Sequence, residues 1–387
     1  MTLIIFIIVL GILVFVHESG HFLAAKKQGI GVEEFGFGFP PRLVGLQRDS
    51  VTGKRRLVWG AKEIGKNEPT VYSLNWIPFG GFVRIKGESG EAANDPDSFV
   101  SKSVGRRALV IAMGVIGNII LTAVLLSIGL YVGMPQAIDD QISSYARVRD
   151  HRILALNVLP DSPAEQAGIK AADELFKING QEVASGQQFK DFVNQNVSKE
   201  ITVTIKRQGQ AQDIAVTPVV LKETGKGGIG VGMAEVATVS YPAWLAVPKG
   251  IQMTGYLTKA IVVAFGVLLR DLVLGRPVAM DVAGPVGIAV MTGEAARLGW
   301  VYLLQFVALL SANLAVINAL PLPALDGGRF LFLLIEKFRG RPVGHKVEAI
   351  IHNTGFALLL LLVVLVTYHD LARYSGPVVQ WASKLVQ

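Results

Sequence analysis

Four long apolar segments constrain this chain more than any other feature of its sequence. They cover residues 3–25, 108–133, 303–325 and 356–368, and the last needs residues 349–355 to reach a comparable length. A helix needs about 20 apolar residues to cross a bilayer. The composition agrees, because only 17% of the 387 residues are charged, against about 25% in soluble domains. The sequence therefore predicts a polytopic α-helical membrane protein with about four transmembrane helices.

The arginines and lysines indicate how these helices are oriented. Basic residues flank the apolar segments in two loops, residues 26–107 and 329–348. Cytoplasmic loops of membrane proteins carry such an excess of positive charge, so we expect both loops in the cytoplasm of a multi-pass inner-membrane protein. The net charge of +7 is then a topology signal, and we predict no nucleic-acid partner. The first segment has no basic residues before it, so we interpret it as a retained span rather than a cleaved signal peptide.

The chain divides into four predicted regions. The first two spans and the loop between them occupy residues 1–133, an extracytoplasmic globular domain occupies 134–240, and the last two spans and the C-terminal tail occupy 301–387. Between them, residues 241–300 contain an apolar stretch that is short for a span. We expect an interfacial helix over 260–269 followed by a loop around "VAGPVGIAVM", with a further span as the alternative.

The globular domain has its own signals. "RILALNV" and "ITVTIKR" alternate as strands do, and "DIAVTPVVL" follows them as a further strand. Ser162 and Pro163 are typical of a helix start. The stretch "PDSPAEQAGIKAADELFKINGQEV" resembles a PDZ domain, present here in one copy. The resemblance implies contact with a peptide or with a substrate ectodomain, and a domain that only packs beside the membrane is the alternative.

A second β-prone stretch lies in the first loop. "TVYSLNWIPFGGFVRIKG" at residues 70–87 has two apolar runs around Pro78, Gly80 and Gly81. This pattern predicts a β-hairpin, and its apolar content predicts that the hairpin enters the membrane. We expect an exposed hairpin edge, near Tyr72 or Val83, to bind an unwound substrate by strand addition.

The first apolar segment contains a group of ionisable residues. His17 and His21, in "VFVHESGHFLAA", are four residues apart and so share one face of a helix, with Glu18 beside them. The pattern H-E-x-x-H on a helix is typical of zinc hydrolases, and ionisable residues inside a membrane span usually have a function. Two histidines bonded to neighbouring helices are the alternative.

A catalytic zinc needs three protein ligands, and the chain has no cysteine. Asp326 in "NALPLPALDGGRF" is the candidate third ligand, and a helix-capping or turn aspartate is the alternative. The prolines at 321 and 323 would break a helix before Asp326 and aim its carboxylate.

Together these motifs resemble the site-2 protease family of intramembrane zinc metalloproteases, in its PDZ-containing, sigma-factor-regulating branch. "HESGH", "AMGVIGNII" and "NLAVINALPLPALDGG" match the family's patterns. The resemblance implies that His17, His21 and Asp326 bind Zn²⁺ and that Glu18 activates water. Substrate contacts are expected at Asn118, Asn313, Asn318, Pro321 and Pro323, with packing between helices as the alternative for Asn118 and Asn318.

The resemblance further implies the activity. We expect regulated intramembrane proteolysis of single-span membrane proteins, such as anti-sigma factors or remnant signal peptides, within the lipid bilayer. A catalytically silent PDZ scaffold is one alternative, but it gives Glu18 no purpose. A metal or proton transporter is the other, although the internal repeats common in transporters are not evident here.

Overall fold

The computed structural model describes residues 1–49, 52–60, 68–88, 90, 94–138, 145–207, 209–221, 225–276 and 283–386. The chain forms two compact units, one from Met1–Ser127 with Val247–Gln387, and the other from Ile128–Ala246. The helices are α1 (Thr2–Lys27), α2 (Val104–Val132), α3 (Pro163–Gln166), α4 (Gly186–Gln195), α5 (Ala243–Val273), α6 (Pro285–Leu298), α7 (Trp300–Ala319), α8 (Asp326–Arg339) and α9 (His345–Val386).

Four helices in the described part of the chain are long and apolar enough to cross a membrane. They are Thr2–Lys27, Val104–Val132, Trp300–Ala319 and Lys346–Arg373, which agrees with the four predicted spans. The third ends at Ala319 rather than at residue 325, because the Pro-Leu-Pro segment that follows cannot continue a helix.

Helix α1 has two different sides. Ile4, Ile8 and Ile12 are exposed, whereas Val9 and Leu13 are buried and pack against Val307 of α7. His17 and His21 follow on the buried side at helical spacing. The helix therefore turns its ionisable residues towards other helices and an apolar side outward.

Helices α1 and α2 approach each other at backbone distance. A Cβ added to Gly20 would lie 2.1 Å from the carbonyl oxygen of Met113, and one added to Gly117 would lie 3.1 Å from that of Val16. Small residues allow this kind of close crossing in membrane helices. The crossing brings α2 directly over the two histidines.

The first loop forms a sheet of β1 (Val32–Arg48), β2 (Arg55–Trp59) and β3 (Val71–Ile85) in the order β2-β1-β3. The prediction that the two apolar runs of residues 70–87 pair with each other as a hairpin is wrong. Both arms of β3 pair with β1, so that Phe35 faces both Tyr72 and Val83. Tyr72 also pairs with Leu46 and therefore lies in the interior of the sheet, not at an edge.

In a water-soluble protein the apolar face of a sheet is buried and the polar face is exposed, and this sheet shows the reverse. Along β3, Tyr72, Leu74 and Trp76 are exposed, while Ser73 and Asn75 between them are buried. The apolar face continues across β2 and β1, because Leu57 and Trp59 pair with Leu46 and Val44. Exposed apolar patches of this kind mark contact with a partner or a membrane.

A charged pair lies on the buried face of the sheet. Arg42 donates two hydrogen bonds to the carboxylate of Glu34, at 2.7 and 2.8 Å, and both side chains are almost fully buried. Burial alone would raise the pKa of Glu34, but hydrogen bonds from Arg42 and Ser73 and the charge of Arg84 outweigh it and hold this pKa below its usual range. The stabilisation by this pair is therefore present at neutral pH and is lost as the pH falls through the lowered pKa.

The second unit contains one antiparallel sheet whose strands differ in length. Its strands are β4 (Met134–Ala137), β5 (Arg147–Val158), β6 (Glu174–Ile178), β7 (Gln181–Glu182), β8 (Ile201–Arg207), β9 (Gln210–Val216) and β12 (Val231–Ser240), ordered β4-β12-β5-β6-β8-β9 with β7 on β6. The short strands β10 (Val219–Val220) and β11 (Gly227–Gly228) pair separately. Phe189 of α4 is fully buried in its core, and Ser162 caps α3 as predicted.

The region 241–300 is more helical than predicted. The stretch 260–269 belongs to the 31-residue α5, and α6 begins at Pro285, where the sequence predicted a loop. The first residue of "VAGPVGIAVM" lies outside the described residues. The first turn of α6 is bound by a residue of another helix. The Gly287 N–H donates to the buried carboxylate of Asp370 on α9 at 2.7 Å.

The Glu34–Arg42 pair generates a stability prediction. Arg42→Met removes the buried ion-pair partner of Glu34, and breaking such a pair costs about 3 kcal/mol. We expect faster hydrogen–deuterium exchange of residues 32–37 in the detergent-solubilised chain. The double variant Arg42→Met, Glu34→Gln removes both charges and should exchange more slowly than the single variant. Equal exchange in both variants would contradict an electrostatic origin.

Candidate metal centre

Three potential metal ligands converge between α1 and the start of α8. His17 and His21 are each 7% exposed, and their Nε2 atoms lie 3.2 Å apart. Oδ2 of Asp326 lies 3.0 Å from His17 Nε2 and 3.2 Å from His21 Nε2. Asp326 is far from the two histidines in the sequence, and the structure brings together the three residues that the sequence predicted as metal ligands.

The spacing of these atoms fits a tetrahedral metal. Ligand atoms about 2.0–2.1 Å from a zinc ion at tetrahedral angles lie about 3.3 Å from one another, close to the three distances above. Oδ2 of Asp326 is also buried without a hydrogen bond of acceptable geometry. A buried carboxylate oxygen without a hydrogen bond is costly, and a cation at this position would compensate it.

The carbonyl oxygen of Val110 fixes the orientation of His21. Nδ1 of His21 lies 2.9 Å from this oxygen, and a carbonyl can only accept. Nδ1 therefore carries the proton and Nε2 presents its lone pair to the centre, as metal-bound histidines commonly do. Val110 could not be predicted from the sequence, because every residue type has a backbone carbonyl.

Asn118 lies behind His17 in the same way. Its side chain is fully buried, its Nδ2 is 3.4 Å from His17 Nδ1, and its Oδ1 has no hydrogen-bond partner. Exchanging the two amide atoms, which are alike in shape, lets Oδ1 accept the His17 Nδ1–H. The backbone oxygen of Asn118 accepts from Ser311 on α7 at 2.8 Å, which fixes the residue in place.

Gly114 provides the space above the two imidazoles. A Cβ at this position would lie 2.3 Å from His21 Nε2 and 2.9 Å from His17 Cε1. Gly114 and Asn118, the first and last residues of "GVIGN", thus have different roles. Gly114 leaves room for both imidazole rings, and Asn118 contacts the ring of His17.

The third candidate ligand is positioned by a tight turn. After α7 ends, Pro321 and Pro323 lead to Asp326, the first residue of α8. A Cβ on Gly327 would lie 2.1 Å from the Leu320 oxygen, and one on Gly328 would lie 2.2 Å from the Leu322 oxygen. Both glycines are therefore required by the close return of the chain.

Glu18 lies beside the three ligand atoms and is not one of them. Its Oε2 accepts the backbone N–H of Val83 at 3.1 Å. Val83 lies in the arm of β3 that pairs with β1 on one side only. The outer edge of this arm therefore faces Glu18.

The remaining predicted residues lie on or after α7. Asn313 is half-buried and donates to the Leu309 oxygen of its own helix at 3.0 Å, and Asn318 is half-buried in the last turn. Pro321 is exposed and Pro323 is half-buried. None of these four contributes an atom to the cluster of three ligands.

A three-ligand centre beside a glutamate, set among helices able to span a membrane, is the arrangement of a membrane-embedded metallohydrolase. The family model for peptidase family M50 matches residues 5–362, and the chain belongs to that family. It is a membrane protein and a zinc metalloprotease.

Relatives extend over nearly the whole chain. The regulator of sigma-W protease RasP of Bacillus subtilis is 31% identical over 96% of this chain and 98% of its own length. The zinc metalloprotease RasP of Geobacillus kaustophilus is 29% identical over 96% and 98%. Among solved structures, the PDZ domain of an SdrC-like protein of Listeria innocua matches 21% of this chain and 92% of its own, with 27% identity and a TM-score of 0.20.

The space above the imidazoles generates a second prediction. Gly114→Ala places a methyl group against both rings, so we expect zinc affinity to fall at least about tenfold, as when a metal ligand loses its support. The measurement is competition with a fluorescent zinc chelator in detergent. Gly105→Ala is the matched control in the same helix, because nothing lies within 4 Å of a Cβ there. Unchanged affinity in Gly114→Ala would contradict the assigned geometry.

Proposed function

We propose that the chain is an intramembrane endopeptidase in which His17, His21 and Asp326 hold the zinc ion and Glu18 is the general base. The observation that carries this proposal is the convergence of the three ligand atoms within 3.2 Å of one another, beside a carboxylate that remains outside the cluster. The family favours this activity over a silent scaffold or a transporter.

The chemistry divides between the metal and the protein. When bound, zinc supplies a Lewis acid that lowers the pKa of water and polarises the scissile carbonyl. Glu18 accepts a proton from the attacking water and delivers it to the leaving amine. The Val83 N–H holds Glu18 Oε2 and so orients the carboxylate for both transfers. Val110 and Asn118 orient the two imidazoles.

This assignment changes the expected role of Asn118. The side chain is fully buried and contacts His17, and we propose that it positions this ligand instead of contacting the substrate. Asn318, Pro321 and Pro323 lie at the end of α7 and in the turn before Asp326. We propose that this segment contacts the substrate, with Asn313 one turn below it.

A substrate helix must unwind before it can be cut, because its carbonyls are hydrogen-bonded within the helix. We propose that the outer edge of the β3 arm that contains Val83 binds the unwound substrate segment by strand addition. Its support is the position of this edge beside Glu18. The interior position of Tyr72 removes it as a second edge.

The substrate class follows from the setting. A membrane-embedded centre beside a strand edge suits single-span membrane proteins, and the name of the Bacillus subtilis relative supports anti-sigma factors as one group. Remnant signal peptides are a second group. We place the loops 26–107 and 329–348 in the cytoplasm and the PDZ-like domain outside it, in an inner membrane, where the domain would contact a substrate peptide or ectodomain.

The general base is tested by Glu18→Gln. The amide cannot accept the proton, so we expect cleavage of a single-span model substrate to fall by a factor of about 10² or more, while one zinc per chain is retained because Glu18 is not a ligand. Zinc content and cleavage are measured on the same detergent-purified samples. Zinc lost together with activity would contradict the division of roles, and wild-type protein without zinc would overturn the proposal.

The strand edge is tested by Val83→Pro. Proline removes the N–H that holds Glu18 and disturbs the strand edge beside it, along which a substrate strand would pair, so cleavage should fall while zinc content stays unchanged. Tyr72→Pro is the contrasting variant. It should also disrupt the sheet, because Tyr72 pairs on both sides, and hydrogen exchange in residues 32–48 should rise only in this second variant. Full cleavage by Val83→Pro would rule out strand addition at this edge.

A further inference from the structure

The turn that carries Asp326 is contacted by a helix that no sequence motif connects to the metal centre. Helix α9 reaches this turn with two residues one turn apart, His352 and Gly355, which lie on the same side of the helix. The inference below rests on the proposed role of Asp326 as a ligand.

His352 makes a directed contact with the turn. Its Nδ1 lies 2.9 Å from the backbone nitrogen of Ala324 and accepts that N–H. Its other nitrogen, Nε2, is buried without a hydrogen-bond partner. A buried polar atom in this state is unfavourable, and an apolar residue at 352 would avoid it. The contact with Ala324 is the interaction that offsets this cost.

Ala324 requires such a contact. Its φ is +70°, in the left-handed region that residues other than glycine and asparagine rarely adopt, and a conformation of this kind persists only where its surroundings hold it. Pro321 and Pro323 have no N–H to donate. The Ala324 N–H is therefore one of few donors by which this turn can be fixed, and it lies two residues before Asp326.

Gly355 provides the second contact. A Cβ at this position would lie 2.2 Å from Cβ of Pro323, so the backbone of α9 packs directly on the proline. The two contacts hold consecutive residues, Pro323 by packing and Ala324 by a hydrogen bond.

We propose that His352 and Gly355 form a clamp on α9 that positions Asp326 for metal binding. His352 is a positioning residue, because it acts through the turn and is not one of the three candidate ligands. Removing its acceptor releases Ala324 from its left-handed conformation and lets the Asp326 carboxylate leave the position beside the two imidazoles.

The experiment measures zinc affinity of the full chain in detergent by chelator competition. His352→Leu removes the acceptor at similar volume, whereas His352→Asn keeps one, since Oδ1 of asparagine is as many bonds from Cα as Nδ1 of histidine. Loss of an outer contact to a metal site costs about 10–100-fold in affinity. We expect a loss of that size in His352→Leu and recovery of most of it in His352→Asn.

Two further measurements separate positioning from general damage. In an Asp326→Asn background, His352→Leu should weaken zinc binding no further, because the clamp acts only through that carboxylate. The visible absorption of bound Co²⁺ should change in His352→Leu and remain like wild type in His352→Asn. Gly355→Ala should weaken binding as His352→Leu does, and Leu358→Ala, at an exposed position on the same helix, should not.

The outcomes distinguish this proposal from the one above. Weak zinc binding in Asp326→Asn with normal binding in His352→Leu would overturn the clamp alone. Equal losses from His352→Leu with and without Asp326 would also overturn it, since the residue would then act by another route. Normal binding in Asp326→Asn would overturn the ligand set, and the clamp with it.

Discussion

The close crossing of α1 and α2 is the contact on which the rest of the site depends. Gly20 meets the backbone of Met113, and Gly114 leaves room for the two imidazoles. At that separation the carbonyl of Val110 and the amide of Asn118 reach the far nitrogens of the rings. Larger residues at the crossing would separate the helices and leave both histidines buried without partners, which is costly in an apolar medium.

The third candidate ligand is positioned by a different part of the chain. Asp326 comes from the other end of the chain, and its carboxylate is aimed by a turn that combines two prolines, a left-handed alanine and two glycines in close backbone contact. Such a turn has little regular hydrogen bonding of its own. It must be held by what surrounds it, and α9 is the helix that packs on it. On the proposed clamp, the candidate centre depends on a helix that carries none of the motif residues.

Much of this could be predicted from the sequence, and the reasons differ by element. Helical spacing put His17 and His21 on one face, and the length of the apolar segments gave the four membrane helices. Pairing within the first loop could not be predicted, because an alternating pattern gives the faces of a strand but not its neighbours. Tyr72 was therefore expected at an edge and lies inside the sheet. Helix α6 was missed because glycine and valine in "VAGPVGIAVM" suggest a loop by propensity, whereas the capping carboxylate comes from Asp370, on another helix.

Site residues without a chemical signature were the hardest to find. A carbonyl such as that of Val110 is present in every residue, and His352 stands in an apolar segment without a second motif residue near it in sequence. Only the tertiary structure shows what these groups face.

The inverted sheet has a consequence for the order in which the protein forms. Its outward side is Tyr72, Leu74 and Trp76, and its inward side holds Ser73, Asn75 and the Glu34–Arg42 pair. In water, such strands would expose an aggregation-prone apolar surface. The loop emerges from the ribosome after α1 and before α2, and on the predicted placement of this loop in the membrane its fold is complete only when lipid covers the apolar side. On that placement, formation of the strand that faces Glu18 is coupled to membrane insertion of the chain.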